Sequence, residues 1–166
     1  GVQTPLASIS RWPEASPVPR TEGRATLLVG VHPRCPCTKA TLTAIHDLVR
    51  REPDRLEVVC LATHPLETSA AWLHSSNVDQ ARGIPGAVMV QDTDGAMATL
   101  HGLRTSGQVR LYGVDGEVVF DGGITPGRGM AASGAVVAKL LDPSRRAADR
   151  TDAFGCPLVG ADGRRP

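Results

Sequence analysis

Aromatic side chains are scarce in this chain, since Phe, Tyr and Trp together make up 3% of its 166 residues. A hydrophobic core must therefore be built from Val, Leu, Ile and Ala. Lysine occurs only as Lys39 and Lys139, and the formal net charge is +1, so the composition indicates no nucleic-acid partner. No window approaches the apolar length of a membrane-spanning helix. Without an internal repeat, this length predicts one domain with a substantial core.

Two cysteines, Cys35 and Cys37, are the most informative residues that are present. They lie between an apolar, β-branched run that predicts a buried strand over 25–31 and an amphipathic pattern that predicts a helix over 38–51. The N–H groups and the positive dipole end of that helix face the sulfurs and favour the thiolate form. Such a thiolate can attack a disulfide or bind a soft metal ion.

The two ends of the chain differ in composition from its middle. Residues 1–23 are rich in proline and serine without sustained periodicity, which predicts a linker or an edge segment in which Trp12 packs. We expect such a stretch just after a removed signal peptide or membrane anchor. Residues 24–142 form the predicted domain, and residues 143–166 form an irregular tail that carries Cys156.

Strand and helix patterns alternate between these ends. A buried strand is predicted over 55–62, a short helix over 67–75, a strand over 87–90, and then a helix that follows the turn 92–95. The segment 113–116 ends in Asp-Gly between two alternating runs, 108–112 and 117–120, and predicts a hairpin. A last helix is predicted over 130–141. This order predicts an α/β sandwich with a central mixed sheet.

The order of elements, with cysteines at the start of the first long helix, resembles the thioredoxin fold, a three-layer sandwich. The strand and helix over 92–103 resemble the insertion found in peroxiredoxins and in membrane-anchored extracytoplasmic thioredoxins. More closely, four segments resemble the RedB-type thioredoxin-like family: His-Pro-Arg-Cys-Pro-Cys at 32–37, Thr-Ser-Gly-Gln at 105–108, the glycine-rich stretch 122–129, and Phe-Gly-Cys-Pro at 154–157. The resemblance covers residues 24–158 and implies an extracytoplasmic protein, anchored through a removed N-terminal segment.

The sequence departs from ordinary thioredoxins at two positions. Counting a Cys-x-x-Cys motif from Cys35 puts its second position on Thr38, because Cys37 comes one residue early. A Cys35–Cys37 disulfide would close a very small, strained ring around Pro36 and would be easily reduced. Thioredoxins also resemble one another in a cis-proline before the hairpin strand, where this chain has Gly107. In thioredoxins this proline is associated with docking of the substrate strand and with exclusion of metal ions. Its absence therefore argues against dithiol exchange and favours metal binding.

Cys156 lies in a Gly-Cys-Pro turn between Phe154 and Leu158, two apolar residues that can anchor the tail. If the tail folds back over the first helix, Cys156 is a resolving thiol for Cys35 or Cys37, or a third metal ligand. The alternative is a cysteine in a loose tail. Cys60, inside an apolar strand, is predicted to belong to the core.

Histidine supplies further candidates for the site. His32 precedes Cys35 by three residues and can act as a base or a nitrogen ligand, although His-Pro is also an ordinary turn. His64 follows the second strand, at the edge of the sheet where ligands gather in open α/β folds. The remaining histidines are predicted to lie on helix surfaces: His46, His74 and His101.

Three cations complete the candidate set. Arg34 and Lys39 flank the thiols and are expected to lower their pKa. In the thioredoxin resemblance, the loop after the hairpin borders the substrate groove. Here that loop is the glycine-rich segment 122–129 with Arg128, which suits a binding lid, although loop geometry explains the glycines equally well.

Thiol–disulfide exchange through Cys35-Pro36-Cys37 is the function that the resemblance favours, with protein thiols or disulfides as partners and no cofactor. One of the two cysteines attacks, and the other or Cys156 resolves the mixed disulfide. Peroxide reduction is disfavoured, because His32 stands where peroxiredoxins have the threonine of Thr-x-x-Cys.

Metal binding or delivery to a metal-receiving protein is the alternative. Copper(I) suits two thiolates and an imidazole, as in the copper chaperones of the Sco type, and Cys35 and Cys37 can combine with His32, His64 or Cys156. Zinc is the second candidate, since the four ligands of a structural zinc site are less obvious here.

Overall fold

A mixed sheet runs through the centre of the computed structural model, which describes residues 9–66, 70–132, 134–140, 142 and 149–158. Within these ranges the sheet has six strands in the order β3-β2-β1-β4-β5-β6. The strands are β1 (Ala25–Val31), β2 (Leu56–His64), β3 (Val88–Thr93), β4 (Gln108–Tyr112), β5 (Val118–Gly123) and β6 (Asp149–Arg150).

Strand β1 lies between β2, which runs parallel to it, and β4, which runs antiparallel. Its position explains why the run is apolar apart from Thr26, since both faces of β1 are covered. Leu27 and Val29 point to one side of the sheet and Leu28 points to the other, as strand alternation requires. Gly30 shares the second side with Leu28 and leaves space there that the tail fills.

Helices cover both sides of the sheet. The first side carries α1 (Thr38–Arg51), α2 (Ser76–Arg82) and α4 (Gly134–Leu140), and the second carries α3 (Ala96–Leu100) with the N-terminal segment and the tail. The predicted three-layer α/β sandwich with a mixed sheet is therefore confirmed. Among the described residues no helix has both the length and the apolar character needed to cross a membrane.

The helix predicted over 67–75 is wrong in its described part. Residues 70–73 form a single 3₁₀ turn, residues 67–69 lie outside the described ranges, and α2 begins at Ser76 instead. Ser75 fixes the start of α2, because its Oγ accepts a hydrogen bond from the amide of Val78 at 3.2 Å and so caps the helix. The predicted last helix also starts later, since 130–132 precede α4.

Asp92 explains the Asp-x-x-Gly pattern of the inserted strand and helix. Its carboxylate is buried and accepts hydrogen bonds from the amides of Met97 and Ala98 at 2.8 and 2.9 Å, so it caps α3 from the end of β3. Burial raises the pKa of Asp92, although the two amides act in the opposite direction. Gly95 enters α3 with a φ of +67°, a conformation that favours glycine.

The N-terminal segment packs along the hairpin. The Trp12 amide donates to the Gly116 carbonyl at 2.8 Å, and the indole meets the rings of His101 and Tyr112 edge to face. The prediction of a surface position for His101 is wrong, because this side chain is fully buried. Its two ring nitrogens pair with Ser16 Oγ at 2.6 Å and with the Tyr112 hydroxyl at 2.9 Å, which compensates for its burial.

His101 makes stability depend on pH. Burial, with a further contribution from Arg110, lowers its pKa to about 4. The unfolded chain binds a proton at His101 below about pH 6.5 while the folded protein does not, so stability falls as pH decreases through this window. We expect the chain to lose about 2 to 3 kcal/mol between about pH 7 and pH 4.5 through this group. In His101→Gln that part of the loss disappears.

Urea unfolding at the two pH values measures this difference. His74→Gln, a change at an exposed position, is the matched control and should keep the pH dependence of the parent. An unchanged pH dependence in His101→Gln would show that His101 is not held in its neutral form.

Candidate functional site

The turn between β1 and α1 holds the two cysteines as the sequence predicts. The Cys35 amide donates to the His32 carbonyl at 3.1 Å, and the Thr38 amide donates to the Cys35 carbonyl at 3.3 Å, which winds the chain into the helix. Cys37 is the N-cap residue of α1 and is partly exposed, whereas Cys35 is fully buried. The two neighbouring sulfurs therefore occupy different environments.

Asn77 holds this turn from α2 and had not been singled out in the sequence. Its amide donates to the carbonyls of Cys35 at 2.6 Å and of His32 at 3.2 Å. Asn77 is itself buried, so these bonds also satisfy its own polar group. The capping serine before α2 could have revealed the helix, but no local pattern identifies this long-range contact.

Cys156 lies against Cys35. Its amide donates to the Cys35 sulfur at 3.3 Å, and its thiol donates a second hydrogen bond to the same sulfur. The tail therefore folds back over the start of α1. Of the two alternatives for Cys156, this is the folded tail rather than the loose one. Among the described cysteines all four are free thiols: Cys35, Cys37, Cys60 and Cys156.

Residues 151–158, which we call the strap, bring Cys156 to this place. The Ser106 amide donates to the Cys156 carbonyl and the Leu158 amide donates to the Arg104 carbonyl, both at 2.8 Å. Leu158 is buried over Gly30, where any Cβ would collide with the leucine side chain. Phe154, in contrast, is 37% exposed, so Leu158 rather than Phe154 is the apolar anchor.

The two thiols of this contact differ in their proton affinity. Burial raises the pKa of Cys35, but hydrogen bonds from the Cys156 thiol and amide, the Thr38 hydroxyl and the Cys37 amide outweigh it and lower the pKa to about 7. Donating to Cys35, together with burial and the negative charges of Cys35 and Cys37, raises the pKa of Cys156 to about 11, against the opposing charge of Arg128. Cys35 is thus the thiolate, and Cys156 is its donor.

Two of the predicted supporting residues, Arg34 and Gly107, make structural contacts around the site. Arg34 stacks on the Trp72 ring at 4.1 Å, and the hydrogen bonds named above, rather than Arg34 or Lys39, lower the pKa of Cys35. Gly107 has a φ of +85°, and its amide donates to the Gly30 carbonyl at 2.8 Å.

The two histidine candidates make structural contacts near the ends of β1 and β2. His32 Nδ1 accepts from the Arg34 amide at 3.2 Å, and burial followed by the charge of Arg34 lowers its pKa. The two ring nitrogens of His64 face the Pro65 carbonyl and Thr93 Oγ1. Within the described residues, no three His, Cys, Asp or Glu side chains are grouped to hold a metal ion. Binding of copper(I) or zinc stays a prediction.

Cys60 does not belong to the site. It is fully buried in β2 among apolar side chains, and this burial raises its pKa to about 12. The prediction of a core cysteine is confirmed, and Cys60 offers a natural control for the chemistry of the other three thiols.

Solved structures with the same architecture provide a comparison at the level of the fold. An uncharacterised conserved protein from Geobacillus kaustophilus has 17% identity and a TM-score of 0.62, and the match covers 82% of this chain and 77% of that one. A hypothetical protein from Sinorhizobium meliloti has 19% identity and a TM-score of 0.61, with 84% and 82% covered. A secreted Mycobacterium tuberculosis disulfide oxidoreductase homologous to Escherichia coli DsbE has 15% identity and a TM-score of 0.53, with 72% and 81% covered.

The fold is thioredoxin-like. No protein-family model matches the sequence, and no curated protein matches it either. In this thioredoxin-like fold, the thiol-bearing turn stands between the central strand β1 and the first long helix, and the strap covers that turn from the side of β4.

Leu158→Ala tests whether the strap covers Cys35. Removing the anchor should release the strap, so that maleimide labels Cys35 at least about tenfold faster at a pH where the thiol is ionised in both proteins, because local opening needs less free energy. The measurement is the labelling rate of Cys35, followed by mass spectrometry of its peptide.

Leu140→Ala is the matched control, since Leu140 and Leu158 are 3% and 4% exposed and Leu140 packs on the opposite side of the sheet. It should lower global stability without a comparable increase in labelling. Equal labelling rates in both variants would mean that the strap does not shield the thiol.

Proposed function

We propose that this chain is a thiol–disulfide oxidoreductase in which Cys35 is the attacking thiolate and Cys156 the resolving thiol. The observation that carries the proposal is the contact between the two cysteines, where the Cys156 amide lies 3.3 Å from the Cys35 sulfur. A nucleophile with a pKa near ambient pH, beside a second thiol that is protonated, has the arrangement that disulfide exchange requires.

The reaction begins when the strap opens and the Cys35 thiolate, which it covers, attacks one sulfur of a partner disulfide. A mixed disulfide forms between Cys35 and that sulfur, and the other partner sulfur leaves as a thiolate. Cys35 then carries no charge, so the largest cause that raises the pKa of Cys156, its hydrogen bond to the Cys35 thiolate, disappears together with the charge of Cys35, while burial remains. Cys156 loses its proton to the partner thiolate released first and attacks the Cys35 sulfur, which releases the second partner sulfur as a thiolate and leaves a Cys35–Cys156 disulfide.

Cys37 has a different part in this proposal. Its amide, at the N-cap of α1, donates to the Cys35 sulfur and so helps to hold the thiolate. Its own thiol is partly exposed and is the alternative resolving group of the Cys35-Pro36-Cys37 motif. The geometry supports Cys156, because a Cys35–Cys37 bond would close a strained ring around Pro36.

We also propose an extracytoplasmic location, where disulfides persist. The motifs that resemble the RedB-type family and the fold shared with a secreted disulfide oxidoreductase support this proposal. Protein thiols or disulfides are the proposed partners.

Cysteine mapping in glutathione redox buffers tests the proposal. We expect one reversible disulfide with a defined midpoint, between Cys35 and Cys156, located by differential alkylation and mass spectrometry. Cys156→Ser should lose this bond and accumulate a mixed disulfide between Cys35 and glutathione, because no thiol is placed to resolve it.

Two further variants complete the design. Cys60→Ser removes a buried thiol away from the site and should leave the midpoint unchanged. Cys37→Ser should retain the Cys35–Cys156 bond. A bond that survives in Cys156→Ser but vanishes in Cys37→Ser would assign resolution to Cys37, and thiols that stay reduced in every buffer would refute the oxidoreductase function.

A further inference from the structure

Ser106 lies at the point where three parts of the site meet. Its amide donates to the Cys156 carbonyl at 2.8 Å, and its hydroxyl oxygen accepts from the His32 amide at 2.8 Å. The same oxygen lies 2.5 Å from Thr38 Oγ1. Ser106 thus contacts the strap, the thiol-bearing turn and the first residue of α1, and it is not among the hydrogen-bond donors to the Cys35 sulfur in the described part of the chain.

The directions of the hydrogen bonds around Ser106 follow from its chemistry. A hydroxyl has one proton, and the two hydroxyls of Thr38 and Ser106 are both fully buried, so water does not supply a further donor. The His32 amide can only donate, so it occupies a lone pair of Ser106. Thr38 has one hydroxyl proton and donates it to the Cys35 sulfur, so in its contact with Ser106 the Ser106 hydroxyl is the donor.

We infer that Ser106 is a positioning residue for the Cys35 thiolate: its hydroxyl donates to Thr38 Oγ1 and thereby commits the Thr38 proton to the sulfur. The chain of donors runs from the His32 amide through Ser106 and Thr38 to Cys35. If the Ser106 hydroxyl is removed, Thr38 loses its donor and no longer has one fixed orientation. This inference deepens the proposed function, because it rests on Cys35 being the attacking thiolate.

Gly107 lets the segment that carries Ser106 lie close to α1. Its amide donates to the Gly30 carbonyl, and a Cβ at this position would lie 3.1 Å from Thr41 Oγ1 on α1. The absence of a side chain lets the segment before β4 approach α1 closely enough for the two hydroxyls to meet. Residue 107, which precedes the hairpin strand, thus has a role in placing Ser106.

Titration of Cys35 in Ser106→Ala tests the inference. The readout is the ¹³Cβ chemical shift of labelled cysteine as a function of pH, assigned with Cys35→Ser. We expect the ratio of thiolate to thiol at neutral pH to decrease about threefold to tenfold, the equivalent of one weakened hydrogen bond. Ser106→Thr, which keeps the hydroxyl, should titrate like the parent.

A double-mutant cycle distinguishes this role from a merely structural one. Thr38→Val should reduce the thiolate ratio at least as much as Ser106→Ala, and Thr38→Ser should not. In the Thr38→Val background, Ser106→Ala should have no further effect, because its influence passes through Thr38. Effects that add, or a Ser106→Ala titration equal to that of the parent, would overturn the inference. If Ser106→Ala fails to fold, a thiolate ratio in Thr38→Val equal to that in Thr38→Ser overturns it.

Thr26→Val is the matched control, because the Thr26 hydroxyl is also buried but has no hydrogen-bond partner among the described residues. It should leave the Cys35 titration unchanged. The titration needs no partner disulfide, so its result is separate from that of the redox mapping. A Cys35–Cys156 bond without any effect of Ser106→Ala refutes the role of Ser106 alone, and the opposite pair of results refutes the oxidoreductase function alone.

Discussion

The site depends on one requirement, which is that a thiolate buried from water must receive hydrogen bonds from the protein. An uncompensated charge in an apolar environment is so unfavourable that the group would take up a proton instead. Cys35 is fully buried, and yet its pKa is lowered to about 7. The start of α1 and the strap supply the donors that make this possible, so secondary structure and tail position are both tied to a single sulfur.

The strap meets this requirement because two glycines, one beneath it and one within it, allow close approach. Gly30 leaves room for Leu158, and Gly155 lies so close to the Ser106 carbonyl that any Cβ would collide with it. At the other end of the strap, the Thr151 hydroxyl donates to the Gly123 carbonyl at 2.6 Å. Backbone contact of this kind fixes the amide and thiol of Cys156 more firmly than side-chain packing alone, since each bond also pairs a group that would otherwise be left without a partner.

Local patterns were sufficient for most of the fold. Apolar runs and helical spacing placed five of the strands and α1, and Asp115-Gly116 placed the hairpin, because the interactions that form these elements lie close together in the sequence. The pairing of Cys35 with Cys156 joins residues 121 positions apart, so apolar anchors in the tail indicated that it could form without showing that it does.

Two misplaced features have a similar physical reason. The sequence predicts His101 on a helix surface. Instead it is buried, and hydrogen bonds with Ser16 and Tyr112, which are distant in the sequence, satisfy its ring nitrogens. The helix predicted over 67–75 stops where α2 begins, and part of what holds α2 in place, the hydrogen bonds from Asn77 to the carbonyls of His32 and Cys35, joins residues distant in the sequence. Tertiary hydrogen bonds that compensate for the burial of a polar group leave no periodic pattern in the sequence.

The balance between the dithiol and the proposed Cys35–Cys156 disulfide depends on two opposing effects. With a pKa of about 7, stabilisation of the thiolate favours the reduced form at neutral pH by only about 0.4 kcal/mol, because half of the thiol is still protonated there. Joining residues 121 positions apart restricts the unfolded chain by an amount equivalent to about 5 kcal/mol, and the folded structure favours the disulfide by the same amount relative to an unfolded chain. Closure of this long loop is therefore the larger effect at neutral pH. Stabilisation of the thiolate increases as pH rises towards the ordinary pKa of a thiol, and above it the raised pKa of Cys156 acts in the opposite direction.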